Sequence, residues 1–313
     1  MQGLMAVFQK EFADHFSSKR FVILFTLICL AGLSATYVAA QSIRGELLDK
    51  PDQQFVFLQL FTASSGVLPP FISFIGFLGP LVGIALGFDA INSEKSNGTL
   101  SRVLSQPIFR DSVINGKFLA GLATISLMLL SIVLIVAGLG LRTIGVAPSV
   151  DEAARILVFL VVCIVYVAFW MALSILFSVL FRQTATSALA GIAAWIFFVF
   201  FISMISGILA NTLVPLGQDP DANTAIAHEQ VDQMVSRISP STLFQEATVT
   251  ILTPGVRTLG PVLVRDVVGM IPNPLSVSQS LLVIWPQIVG LIALTSICFA
   301  ISYAKFLREE IRA

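Results

Sequence analysis

The 313-residue chain is 56% hydrophobic and only 12% charged, with a mean hydropathy of +0.92, about half the charge of a typical soluble domain. That excludes a water-soluble globular protein and describes a chain embedded in a membrane. Lysine plus arginine and aspartate plus glutamate stand at 18 each, so the net charge is zero, and neither a nucleic-acid surface nor an acidic solvating tail is implied.

Residues 4–19 come first, with Leu4, Val7, Phe8, Phe12 and Phe16 on helical spacing and Lys10, Glu11 and Asp14 elsewhere. This pattern predicts an amphipathic helix lying in the inner membrane interface. The first apolar run starts only at Phe21 and is long enough to span, so it reads as a retained span and not as a cleaved signal peptide. A spanning helix needs about 20 apolar residues. Six runs qualify, at about 21–40, 68–87, 118–141, 156–181, 185–209 and 281–303. Backbone polar groups in hydrocarbon must be satisfied within each segment, so all six are read as helices.

Orientation follows from lysine and arginine. With the N-terminus inside, the inner segments carry Lys10, Lys19, Arg20, Lys95, Arg102, Arg110, Lys117, Arg182, Lys305, Arg308 and Arg312. The short outer segments carry only Arg44, Lys50, Arg142 and Arg155, while Arg237, Arg257 and Arg265 fall in a long outer loop whose charge counts for little. Both termini are therefore expected in the cytoplasm, and the whole chain, 1–313, is read as one transmembrane domain in the cell membrane.

The outer loop, 210–280, is predicted to hold one or two short helices. Ser239 followed by Pro240 is a helix-start signal, with Leu243, Phe244, Ala247 and Ile251 on one face beyond it. A weaker helical pattern covers 221–238. Pro272 and Pro274 mark the return to the membrane, and Pro286 is expected to kink the last span.

Enzyme signatures are missing. The only histidines, His15 and His228, are expected on opposite sides of the membrane, and no H-E-x-x-H, G-x-S-x-G or phosphate-binding G-x-x-x-x-G-K-[ST] occurs. The cysteines Cys29, Cys163 and Cys298 sit in apolar runs and read as small buried hydrophobes. No Asp, Glu, Lys or Arg occupies the middle of any span, which argues against a proton relay or a salt-bridged ion site. Ser131, Ser174, Ser203, Ser206 and Gln287 read as helix-packing contacts, and the cluster 195–201 as a lipid-facing or packing surface. The chain is thus read as a non-enzyme, and any ATP and Mg must be bound by another chain.

One stretch breaks the apolar pattern. Residues 88–117, FDAINSEKSNGTLSRVLSQPIFRDSVINGK, hold seven charged side chains between runs that hold none. Gly98 is placed for a left-handed cap, 99–104 is long enough for a turn or two of helix, Pro107 starts the next segment, and Arg110, Asp111 and Lys117 rise toward the third span. This describes a short transverse helix held beyond the membrane face, able to pass rigid-body motion from a soluble partner. The plainer reading is a hydrophilic loop that fixes topology.

The order of features here, Phe-Asp-x-Ile, an acidic residue, Gly-Thr-Leu, Ser-x-Pro-Ile, Arg and Gly-Lys, resembles the ABC-2 type membrane permeases, with a particular likeness to the group encoded with nitrous-oxide reductase accessory proteins. FQKEFADHFSSKRF resembles their N-terminal interfacial helix, and ISPSTLFQEA a segment of their last outer loop. The resemblance implies an all-α, six-span, type V (ABC-2-like) exporter fold. It also implies that Glu94, Gly98, Thr99, Leu100, Leu104, Pro107 and Arg110 dock on a separate ATPase subunit, with Asp89 and Lys117 supporting them. Gly98 and Pro107 would serve equally as caps, Leu100 and Leu104 as packing onto the N-terminal helix, and Lys117 as a headgroup anchor. The ABCG-type exporters share the architecture but carry a fused ATPase domain. The implied function is the permease subunit of an ABC exporter for an apolar or amphipathic cargo. It would pair with a second, identical or sibling, permease chain and an ATPase that binds ATP and Mg. An ATP-independent carrier or channel, and a non-transporting assembly protein, are the alternatives.

Overall fold

A computed structural model describes residues 2–49, 55–64, 68–98, 108–216, 221–255 and 274–308. Among them there is no strand, and six helices are long and apolar enough to cross a membrane. Helix α1 (Gln2–Ser17) is followed by α2 (Lys19–Asp49), the first span. A short α3 (Val56–Thr62) precedes α4 (Phe71–Gly87), the second span, and α5 (Asn92–Ser96). Helices α6 (Arg110–Ile144) and α7 (Val150–Leu180) are the third and fourth spans. The fifth runs as α8 (Thr184–Ile196), a π-helical turn (Phe197–Phe201) and α9 (Ile202–Leu213). Then come α10 (Ala222–Ser236), α11 (Pro240–Leu252) and the sixth span, α12 (Val277–Arg308).

The helices overrun the apolar runs that announce them. Helix α6 begins eight residues before Phe118, because Arg110, Asp111 and Lys117 continue the helical hydrogen bonding below the apolar layer. Its far end is closed at Gly145, which has φ 77°, the left-handed conformation that a residue without Cβ adopts at little cost. Helix α7 starts with a capping box: the Ser149 hydroxyl accepts from the Glu152 N–H, and the Glu152 carboxylate accepts from the Ser149 N–H at 2.8 Å.

Helix α7 is the axis of the core, packing on α4, α6, α8, α11 and α12. Phe159, Tyr166 and Trp170 along it are fully buried. Against α4 the approach is close: a Cβ on Gly83 would stand 2.6 Å from the Val167 carbonyl oxygen, and one on Gly87 2.7 Å from that of Met171. Gly79, Gly83 and Gly87 recur every fourth residue, so one face of the second span lies backbone to backbone on the fourth. Spans two, three and four bury 50–56% of their apolar windows and spans one, five and six 17–28%, so the last three present most of the outward apolar surface.

Helix α3 was not foreseen. Its run VFLQLF is too short to span, but Val56, Phe57, Leu58, Leu60 and Phe61 are all buried, and the Phe57 N–H donates to Glu152 at 2.9 Å. The outer helices fall where the Ser239–Pro240 signal and the 221–238 pattern put them. Ser239, however, does not cap its own helix: its hydroxyl donates to the Phe198 carbonyl at 2.8 Å, a group inside the π-helical turn. Pro286 lies inside α12, Pro274 is the first described residue before it, and Pro272 lies outside the described residues.

A polar tie holds one end and an apolar cluster the other. On the side away from the termini, Arg155 is fully buried; it donates to Asp151 at 2.7 Å, to the Ile251 carbonyl at 3.0 Å, to Ser280 at 3.1 Å and to the Leu275 carbonyl. One guanidinium thus ties the end of α11 and the start of α12 to α7. On the other side Val7, Ile91, Val113, Ile114, Val179 and Phe306 form a small apolar cluster, placing α1, α5 and the ends of α7 and α12 on one face.

Candidate coupling site

That face carries the described part of 88–117. After Gly87 the chain turns and forms the single helical turn α5, closed by Gly98 at φ 66°. A side chain at that conformation is strained, and Gly98 removes the strain. The start of α5 is welded to the end of the fourth span, because the Ser178 hydroxyl accepts from the N–H groups of Ile91 at 2.9 Å and Asn92 at 3.1 Å. Asn92 is fully buried, yet neither atom of its side-chain amide has a hydrogen-bond partner.

Lys117 gathers the remaining pieces. Its Nζ lies 2.7 Å from Glu11 Oε1 of α1 and 2.9 Å from Glu94 Oε1 of α5, with the three side chains 6%, 12% and 14% exposed. Lys10 adds a second ammonium, 3.0 Å from Glu11 and 3.9 Å from Glu94, so two positive charges balance two negative ones. The Glu11 carboxyl is held below its ordinary 4.5: burial works to raise it, but Lys117 and Lys10 together outweigh burial. Lys10 is held above 10.5, burial being outweighed by Glu11, Glu94 and Asp14. His15, one turn beyond Glu11, is pushed below 6.5, first by burial, with Glu11 opposing. A cavity of about 270 Å³ opens beside this node between α1, α4 and α6.

The helix that carries Glu11 packs closely on α6. A Cβ on Gly116 would stand 2.8 Å from Val7 Cγ1, so only a glycine lets α1 lie this near the helix bearing Lys117. Asp89 pairs with Arg20 at 2.6 Å, joining the end of the second span to the start of the first, and the Arg20 guanidinium sits over the Phe88 ring. Arg20 is more than half exposed, so this bond contributes little to stability.

Of the residues singled out by sequence, Glu94 and Lys117 thus meet, together with Glu11, across three helices, Asp89 pairs with Arg20, Gly98 closes α5, and Arg110 opens α6. Thr99, Leu100, Leu104 and Pro107 lie outside the described residues, as does the transverse helix expected at 99–104. Sequence reasoning missed Glu11, His15 and Ser178 as parts of this region. Glu11 was visible only as one polar residue on an amphipathic helix, since its partner is 106 residues away. The spacing of Gly79, Gly83 and Gly87 was a usable signal for the close packing of the second span.

A family model described as ABC-2 family transporter protein matches residues 5–311. No curated protein matches the chain. The match takes in most of α1, all six apolar helices and the charged segment between the second and third, and the chain therefore belongs to the ABC-2 family of transporter proteins.

Proposed function

We propose that this membrane component of an ABC transporter is a permease subunit driven by a separate ATPase chain, which binds the ATP and Mg and docks on residues 94–110. Both termini and the docking segment face the cytoplasm of the cell membrane, a second permease chain completes the pathway, and the cargo is apolar or amphipathic, moved outward. The observation that carries this reading is the Lys117 node. A force applied to the segment between α5 and α6 cannot be absorbed locally, because α5 is bonded to the end of the fourth span through Ser178 and to α1 and α6 through Lys117. Displacement there is passed to spans two, three and four as one body, the condition for rocking between access states.

The test is co-purification with the ATPase partner. Leu100→Asp and Arg110→Glu are expected to lose the complex and the stimulation of ATP hydrolysis while the permease itself stays folded. Assembly and stimulation at native levels in both variants would sink the proposal.

A further inference from the structure

On the face opposite the termini, two chambers of about 480 and 570 Å³ lie between the start of α4, the π-helical turn and helices α10 and α11. They share Ser73, Ser203, Thr242 and Gln245, which form a polar neck between them. The chambers differ in chemistry. The first is walled by Phe74, Phe77 and Phe198. The second is lined by the carboxylates of Asp232 and Glu246, and neither chamber has a lysine or arginine in its lining.

Glu246 is already committed, with Arg237 Nε 3.0 Å from both of its oxygens and Gln287 donating at 2.8 Å. Asp232 is half-buried and has no polar partner among the described residues. Thr250, lining the same chamber, is buried with an unpartnered hydroxyl. A partly desolvated carboxylate and an unmade hydrogen bond both cost free energy, and a ligand bearing donors would relieve both. The aromatic chamber borders a π-helical turn, a feature frequent at functional sites. The volumes lie in the range of small-molecule sites.

We infer that this pair of chambers binds a single-chain cationic amphiphile, its ammonium head beside Asp232 and its apolar chain passing the neck to lie along Phe74, Phe77 and Phe198. An anionic amphiphile would meet the carboxylate of Asp232, unpaired among the described residues, the charge of Glu246 being already balanced by Arg237. A small hydrophilic cation would leave the aromatic chamber unfilled. That the ligand is cargo rests on the permease reading; that it binds does not.

The experiment places the full-length chain in phosphatidylcholine nanodiscs and measures saturable binding of tritiated dodecylamine, dodecanol and dodecanoate over that of empty nanodiscs. Dodecylamine is expected to bind best and dodecanoate worst. Asp232→Asn should weaken dodecylamine about ten-fold, the loss of one charge-assisted contact, and leave dodecanol unchanged. Thr242→Phe, or Ser203→Phe should the first fail to fold, fills the neck and should abolish binding of both. Dodecanoate binding as tightly as dodecylamine, or Asp232→Asn binding the amine at native strength, would overturn the inference. Saturable amine binding without ATP-driven movement, in vesicles containing the ATPase partner, would support the chambers and overturn the permease reading instead.

Discussion

Lys117 Nζ stands 2.9 Å from Glu94 Oε1, an ion pair that joins the last helical turn before the segment 99–107 to the helix after it. The pair clamps the base of that segment on both sides. Breaking it from the cationic side leaves Glu11 and Glu94 buried together without Lys117. Lys117→Met is expected to cost about 3–5 kcal/mol, read as a lowered unfolding midpoint. The triple variant Glu11→Gln, Glu94→Gln, Lys117→Met should recover much of that loss, because no uncompensated charge remains at the centre of the node.

Asn92 tests the same region with the opposite sign. Its buried amide makes no side-chain hydrogen bond, so Asn92→Leu removes a desolvation cost and is expected to stabilise the chain by about 1 kcal/mol. A fall in the unfolding midpoint would contradict this.

The glycine stripe of the second span predicts a gradient along the chain. Gly83→Ala forces the α4–α7 interface apart and should cost about 1–3 kcal/mol. Gly138→Ala, where an added methyl meets nothing within 4 Å, should be neutral or slightly stabilising, by up to about 1 kcal/mol. Equal unfolding midpoints for the two variants would rule out the close approach.

Arg155 holds the opposite face by carbonyl oxygens of two segments that are also joined by the backbone bond from the Leu275 N–H to the Pro254 carbonyl at 3.0 Å. Arg155→Met orphans those carbonyls and Asp151 and is expected to cost about 3 kcal/mol or more. Limited proteolysis reports it, as faster cleavage between α11 and α12.

The pH dependence of stability follows from His15. Its folded pKa lies below the ordinary 6.5 because burial disfavours the imidazolium. As pH falls through 6.5 the unfolded chain takes up the proton first, so stability drops from there down to the folded value. The Glu11 carboxyl, held below 4.5 by Lys117 and Lys10 against burial, keeps its contribution across that window and loses it only as pH falls through its lowered folded value. The denaturant midpoint should therefore decline as pH falls below 6.5, and His15→Leu should flatten the decline.

The spans, the N-terminal amphipathic helix and the two helices between the fifth and sixth spans were legible in the sequence, because each follows from local chemistry: apolar length against bilayer thickness, helical spacing of Phe8, Phe12 and Phe16, and Pro240 after Ser239. Helix α3 was not, since a seven-residue stretch with five apolar side chains suits a strand, a loop or a buried turn equally until neighbours enclose it. The π-helical turn was equally invisible, because the side chain that bonds its Phe198 carbonyl, Ser239, lies 41 residues along the chain.

For the site, the sequence by itself determined that charge would concentrate in 88–117 between two uncharged spans, since hydrocarbon excludes ionised groups and any needed for contact must gather outside it. Only the tertiary structure decided that Lys117 faces both Glu94 and Glu11. A Coulomb interaction depends on separation in space, and the distance between residues 11, 94 and 117 is set by how α1 packs over Gly116 and how α5 hangs on Ser178, contacts that sequence spacing does not encode.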